Sequence, residues 1–153
     1  ARVRDRILDA AAQIFRAQGY AGAGIDAVMS AADLTRGGFY AHFKSKQALF
    51  AAVLRDRHPL RQRLARLNDN DPAALKQLFA DYLAPQHLAQ VAPGCTLVAL
   101  SGDAARQPAE IRNGFGAARA DILANMARAA GPNANPAMLS AALSIAGLAS
   151  GCG

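Results

Sequence analysis

Thr35, Arg36, Tyr40, His42, Lys44 and Lys46 place a hydroxyl, a guanidinium, a phenol, an imidazole and two ammonium groups within one short stretch. No carboxylate lies among them. Such a set donates hydrogen bonds to phosphate oxygens and base edges, so its natural partner is a polyanion. Gly37 and Gly38 interrupt the stretch. A glycine inside a helix costs about 1 kcal/mol relative to Ala. Two in a row make physical sense where a partner must approach the backbone closely, as a major-groove wall would. Ser45 suits an N-cap, and the helix start it announces is itself favourable to anions. The alternative stays open at this point: Tyr40 and His42 also suit the core or surface of any helical domain.

The charge distribution agrees with an anionic partner for one end of the chain. Residues 1–66 hold twelve Arg/Lys and five Asp/Glu (12 − 5 = +7), so the formal net charge of +6 arises wholly in that part. A solvated helical face explains such a run equally well, and Arg55, Arg57, Arg61, Arg63 and Arg66 are expected to form one. The 153 residues are 52% hydrophobic and 18% charged, a globular composition. Alanine is abundant and β-branched residues are sparse, which favours an all-α fold.

The elements that position the stretch follow from periodicity. Val3, Ile7, Ala10, Ala11, Ile14 and Phe15 recur at helical steps, predicting a helix over 2–18 that Gly19 stops. A short helix over 25–32, a turn at Asp33–Leu34 and a second short helix from Thr35 to about His42 form a helix-turn-helix. Val28 and Ala32 would pack there against Leu34, Phe39 and Phe43. A helix capped by Ser45 carries Leu49, Phe50, Val53 and Leu54 on one face. His58–Pro59 marks a boundary, so the expected domains are 1–57 and 58–153. In the second, Asp71 caps and Pro72 opens a helix to about Ala84, and further helices are expected at 96–105, 108–130 and 136–150.

The run from Gly19 to Val28, followed by Ala32-Asp33-Leu34-Thr35-Arg36-Gly37-Gly38-Phe39-Tyr40-Ala41-His42-Phe43-Lys44-Ser45-Lys46-Gln47-Ala48-Leu49-Phe50, resembles the DNA-binding signature of the TetR family of bacterial regulators. The resemblance covers about residues 3–55. It implies an N-terminal three-helix head, and a C-terminal helical body that binds a small-molecule effector and forms a homodimer. The expected function is that of a repressor on a palindromic double-stranded operator, released by the effector. Carried over by position, Thr35, Arg36 and Gly37 would lie at base edges, with Gly38 beside them. Tyr40 and His42 would hold phosphates, Lys44 would add a cation, and Lys46 would cap the next helix and meet the backbone. This chain departs from the pattern at Ala23 and Gly24, which offer no capping hydroxyl, at Asp33, where Gly is usual, and at Gln47.

By the same resemblance, Phe79, Tyr82, Leu83, Leu97, Leu100, Phe115 and Met126 are candidates to line an effector pocket. Each also suits an ordinary helical core. Met138, Leu139, Ala142, Leu143, Ile145, Ala146 and Leu148 make the last helix apolar enough for a dimer interface. Relatives continue into a further helix, so the body is expected to be incomplete at its C-terminal end. Cys95, at an expected helix start, suggests an alternative within the family, a thiol sensor of oxidants or electrophiles. Its simpler reading is a small packed residue. Two cysteines suggest a reducing, cytoplasmic setting, and no apolar run is long enough for a membrane span. His87 has no partner at metal spacing. No Ser/His/Asp, Cys/His, metal or phosphate-loop constellation can be assembled, so neither catalysis nor a cofactor is expected. A helical adaptor for an acidic protein is the remaining class.

Overall fold

The first helix, α1 (Val3–Gly22), buries Ile7, Leu8, Ala10, Ala11, Ala12 and Phe15 along one face. In the computed structural model, which describes residues 2–86 and 96–151, the chain is all-α. Gly19 does not end α1 as expected but kinks it, with φ 69° and ψ 173°, and a last turn follows to Gly22. That conformation suits glycine, which lacks the Cβ that would oppose it.

Helix α2 (Ile25–Ala31) starts at Gly24 without a side-chain cap, in line with the absent hydroxyl. It ends in a Schellman arrangement: Leu34 N donates to Met29 O at 2.9 Å and Asp33 N to Ser30 O at 3.0 Å. Asp33 takes the left-handed position with φ 52°, which Asp tolerates better than most residues. The second element of the helix-turn-helix is a 3-10 helix, Arg36–Ala41, rather than an α-helix from Thr35. Gly37 and Gly38 have little propensity for the wider α-turn, and Gly38 N closes an i→i+3 bond to Thr35 O at 3.1 Å. Helix α3 (Lys46–Asp56) is capped by Ser45, whose hydroxyl accepts from Ala48 N at 3.0 Å.

The first compact unit comprises Ala1–Arg57 together with Leu100–Phe115. Its core joins Phe15, Val28, Met29, Ala32, Phe39, Phe43, Leu49, Phe50 and Val53 to Leu100, Ala104 and Ile111, with Phe115 packed against them. Helix α7 (Ser101–Ala105) and the start of α8 (Ala109–Ala130) supply the late segment.

The second unit comprises His58–Ala99 and Gly116–Gly153. It contains α4 (Pro59–Leu64), α5 (Pro72–Tyr82), α6 (Thr96–Ala99), most of α8, and α9 (Pro136–Gly151). Asp71 caps α5 by accepting from Ala74 N at 2.9 Å, with Pro72 at the first turn. Arg128 on α8 donates to Leu67 O at 2.8 Å and Leu64 O at 3.2 Å, and pairs with Asp69. Cys95, His87 and the side chain of Leu97 lie outside the described residues. Among the described residues, no helix is long and apolar enough to cross a membrane.

Candidate nucleic-acid interface

The 3-10 helix turns its apolar side inward and leaves its polar groups outside. Phe39 is fully buried and Phe43 nearly so, and their rings stack with centroids 5.9 Å apart. Both are therefore core residues. Tyr40 meets Phe39 edge-on at 5.2 Å and is 61% exposed. Thr35, Arg36, Gly37, His42 and Lys44 are exposed as well. A Cβ at Gly37 would find nothing within 4 Å, whereas one at Gly38 would meet Met29 Cε at 3.7 Å. Gly37 thus belongs to the open face, while Gly38 faces α2.

The segment is braced from both neighbours. Arg6 on α1 donates to Ala32 O and pairs with Asp33 at 3.6 Å, so it ties α1 to the turn. Arg57 Nε donates to Asp9 Oδ1 at 2.7 Å and its Nη2 to Asp5 Oδ1 at 3.0 Å. These bonds fasten the end of α3 to the start of α1. The arginine stripe expected to be solvated is therefore engaged in part within the protein: Arg57 with Asp5 and Asp9, Arg55 with Asp56, and Arg61 with Asp121. Burial alone would lower the Arg57 pKa, but its carboxylate partners outweigh that and leave it raised.

Lys46 is only half exposed. Its Nζ lies 4.7 Å from the centroid of the Tyr20 ring and donates to Ala21 O at 3.4 Å. Tyr20 in turn packs on Phe50 at 4.8 Å, and its burial raises the phenol pKa.

Asp26 is the participant that the sequence concealed. Its Oδ2 accepts from Arg36 Nη1 at 2.9 Å. An acid in the first turn of a helix reads as a partner for the helix dipole, and nothing local ties it to a residue ten positions away.

The candidate pocket residues fall in both compact units. Leu100 is fully buried and Phe115 half-buried in the core of the first unit. Phe79, Tyr82, Leu83 and Met126 belong to the second unit, where Tyr82 and Met126 are buried. Leucine and phenylalanine at helical spacing read alike whichever core they join.

Residues 7–53 match the family model described as bacterial regulatory proteins, tetR family. The chain is similar to the HTH-type transcriptional regulator SrpR of Pseudomonas putida, 47% identical over 58 residues, or 37% of this chain and 27% of that protein. It is also similar to the HTH-type transcriptional repressor DhaR of Mycobacterium sp. (strain GP1), 35% identical over 54 residues, covering 35% of this chain and 27% of DhaR. The match thus spans little more than a quarter of either relative's length.

Among solved structures, the reduced form of NemR from E. coli resembles it with a TM-score of 0.70 at 22% identity, covering 96% of this chain and 82% of NemR. The multidrug binding protein EbrR complexed with proflavin gives 0.60 at 23% identity, over 95% of this chain and 84% of EbrR. These likenesses concern the fold, while the sequence match is concentrated in the head that presents Thr35 to Lys46. Residues 7–53 thus resemble the helix-turn-helix head of bacterial regulatory proteins of the tetR family.

Proposed function

We propose that this chain is a DNA-binding transcriptional repressor that acts as a homodimer and is released from its operator by a small-molecule effector. The observation that carries the reading is the exposed donor set of Thr35, Arg36, Tyr40, His42 and Lys44, presented around a 3-10 helix whose Phe39 is locked in the core. It coincides with the match over residues 7–53. The family match points to a DNA-binding regulator rather than an enzyme.

In the proposed complex, Arg36, with Thr35 and Gly37, reads base edges in the major groove, while Tyr40, His42 and Lys44 hold phosphates. Lys46 contributes charge from its place over Tyr20.

Dimerisation is assigned to α9, where Met138 is 70% and Ile145 is 59% exposed. Met138, Ala141 and Ile145 follow at helical steps, and such an apolar stripe calls for a cover. The effector is assigned to the second unit, with Phe79, Tyr82, Leu83 and Met126 as its candidate contacts. The repressor designation of DhaR supports the repressor reading, and the proflavin complex of EbrR supports a small-molecule effector, both by analogy.

A gel shift against fragments of the source genome tests the reading. The expected result is retention of a small set of fragments, with affinity falling steeply as salt rises. Arg36→Ala and Tyr40→Phe should each weaken that binding, Arg36→Ala by about tenfold or more. Wild-type binding by both variants would refute the assignment of this face.

A further inference from the structure

Arg36 does not present its guanidinium alone. Its Nη1 is held 2.9 Å from Asp26 Oδ2, in a pair whose side chains are 65% and 66% exposed. An ion pair so open to water contributes little to stability, which leaves its effect on what Arg36 can bind. We propose that Asp26 is a specificity-determining residue, which makes Arg36 favour neutral base edges over phosphates. The inference rests on the DNA-binding reading above.

The chemistry follows from the difference between the two acceptors. A phosphate is an anion, and its attraction to Arg36 is largely one of net charge. A carboxylate in contact with the guanidinium offsets that charge and repels an incoming phosphate across a distance shorter than the screening length of physiological salt. A guanine edge offers the neutral acceptors O6 and N7, which the carboxylate repels far less than it repels an anion. The guanidinium carries five donors in a planar fork, so the bond from Nη1 to Asp26 leaves Nη2 for a base. The same bond restrains a long side chain, so less conformational freedom is lost when it reads DNA.

Asp33 provides an internal control. It is another exposed acid of the same head, but it pairs with Arg6 at 3.6 Å rather than with Arg36. Asn tolerates its left-handed backbone.

The test measures binding to two labelled duplexes, one enriched from a random library by the wild-type protein and one of scrambled sequence. Asp26→Asn should bind the scrambled duplex about fivefold more tightly and lower the enriched-to-scrambled affinity ratio by a similar factor. Its thermal midpoint should fall by no more than the few degrees that loss of a first-turn acid costs. Asp33→Asn should leave the ratio within about twofold. In an Arg36→Ala background, Asp26→Asn should leave the ratio unchanged. The proposal is overturned if Asp33→Asn lowers the ratio as much, or if Asp26→Asn acts equally without Arg36, since either result makes Asp26 a generic repulsive charge. If the wild-type protein enriches no sequence and binds neither duplex, the DNA-binding reading itself falls, and this inference with it.

Discussion

The carboxylate of Asp103 accepts a hydrogen bond from the backbone N–H of Tyr20 at 2.8 Å, across 83 residues of chain. The bond fastens the late segment of the first unit to the kink in α1, because Tyr20 follows the left-handed Gly19. A Cβ at Gly19 would lie 3.2 Å from Asp103 Oδ2. Asp103→Ala should therefore destabilise the protein by about 1–3 kcal/mol, the cost of leaving a partly buried N–H without its charged acceptor. Gly19→Ala should cost about 1–2 kcal/mol through backbone strain. Urea unfolding followed by circular dichroism reads both, and wild-type midpoints would contradict the contact.

Arg128 does comparable work in the second unit. Its guanidinium serves the carbonyls of Leu64 at the end of α4 and Leu67 beyond it, while Asn70 N donates back to Arg128 O at 3.1 Å. Arg128→Ala should cost about 2–3 kcal/mol, and Arg128→Lys should recover little of it, because an ammonium lacks the planar fork. Gly131, with φ 88°, closes the same corner, and a Cβ there would meet Asn70 Oδ1 at 2.9 Å. Thermal unfolding of the three variants should rank Arg128→Ala and Gly131→Ala below Arg128→Lys.

Asp33 is tolerated, not ideal, in its left-handed position. Asp33→Gly should stabilise the head by about 0.5–1 kcal/mol, the strain of a side chain at φ 52° being relieved. The gain is diminished slightly by loss of the exposed pair with Arg6. A lower thermal midpoint than wild type would contradict the assignment of this turn.

The hydrogen bond from Arg55 holds the Asp56 carboxyl below its ordinary value of 3.8. A depressed carboxylate pKa contributes stability that is present above the unfolded value and lost as pH falls through the folded one. Asp56→Asn should thus be less stable than wild type by about 0.5–1 kcal/mol at neutral pH. The difference should narrow as pH falls below 3.8. Denaturant midpoints across an acid series measure it, and a gap that widened on acidification would contradict the pairing.

Much of the secondary structure was legible because its signals are local. Ser45 and Asp71 are caps whose oxygens meet backbone N–H groups three residues on. The apolar spacing of α1 and α3 names the buried faces directly. The 3-10 geometry of Arg36–Ala41 was not legible, since i→i+3 and i→i+4 turns place the same apolar residues inward. The entry of Leu100, Ala104 and Ile111 into the core of the head is a tertiary contact without a sequence pattern of its own. The Asp26–Arg36 pair joins two elements across a turn, and charge spacing alone could not reveal it.

The central claim is that the face around Arg36–Ala41 binds DNA. The most direct test is to titrate the isotope-labelled protein with an enriched duplex and follow its backbone amide resonances. The largest shifts are expected within Thr35 to Lys46 and at Asp26, vanishing as salt is raised. Shifts confined to α5 or α9, with Thr35 to Lys46 unmoved at saturating duplex, would contradict the account.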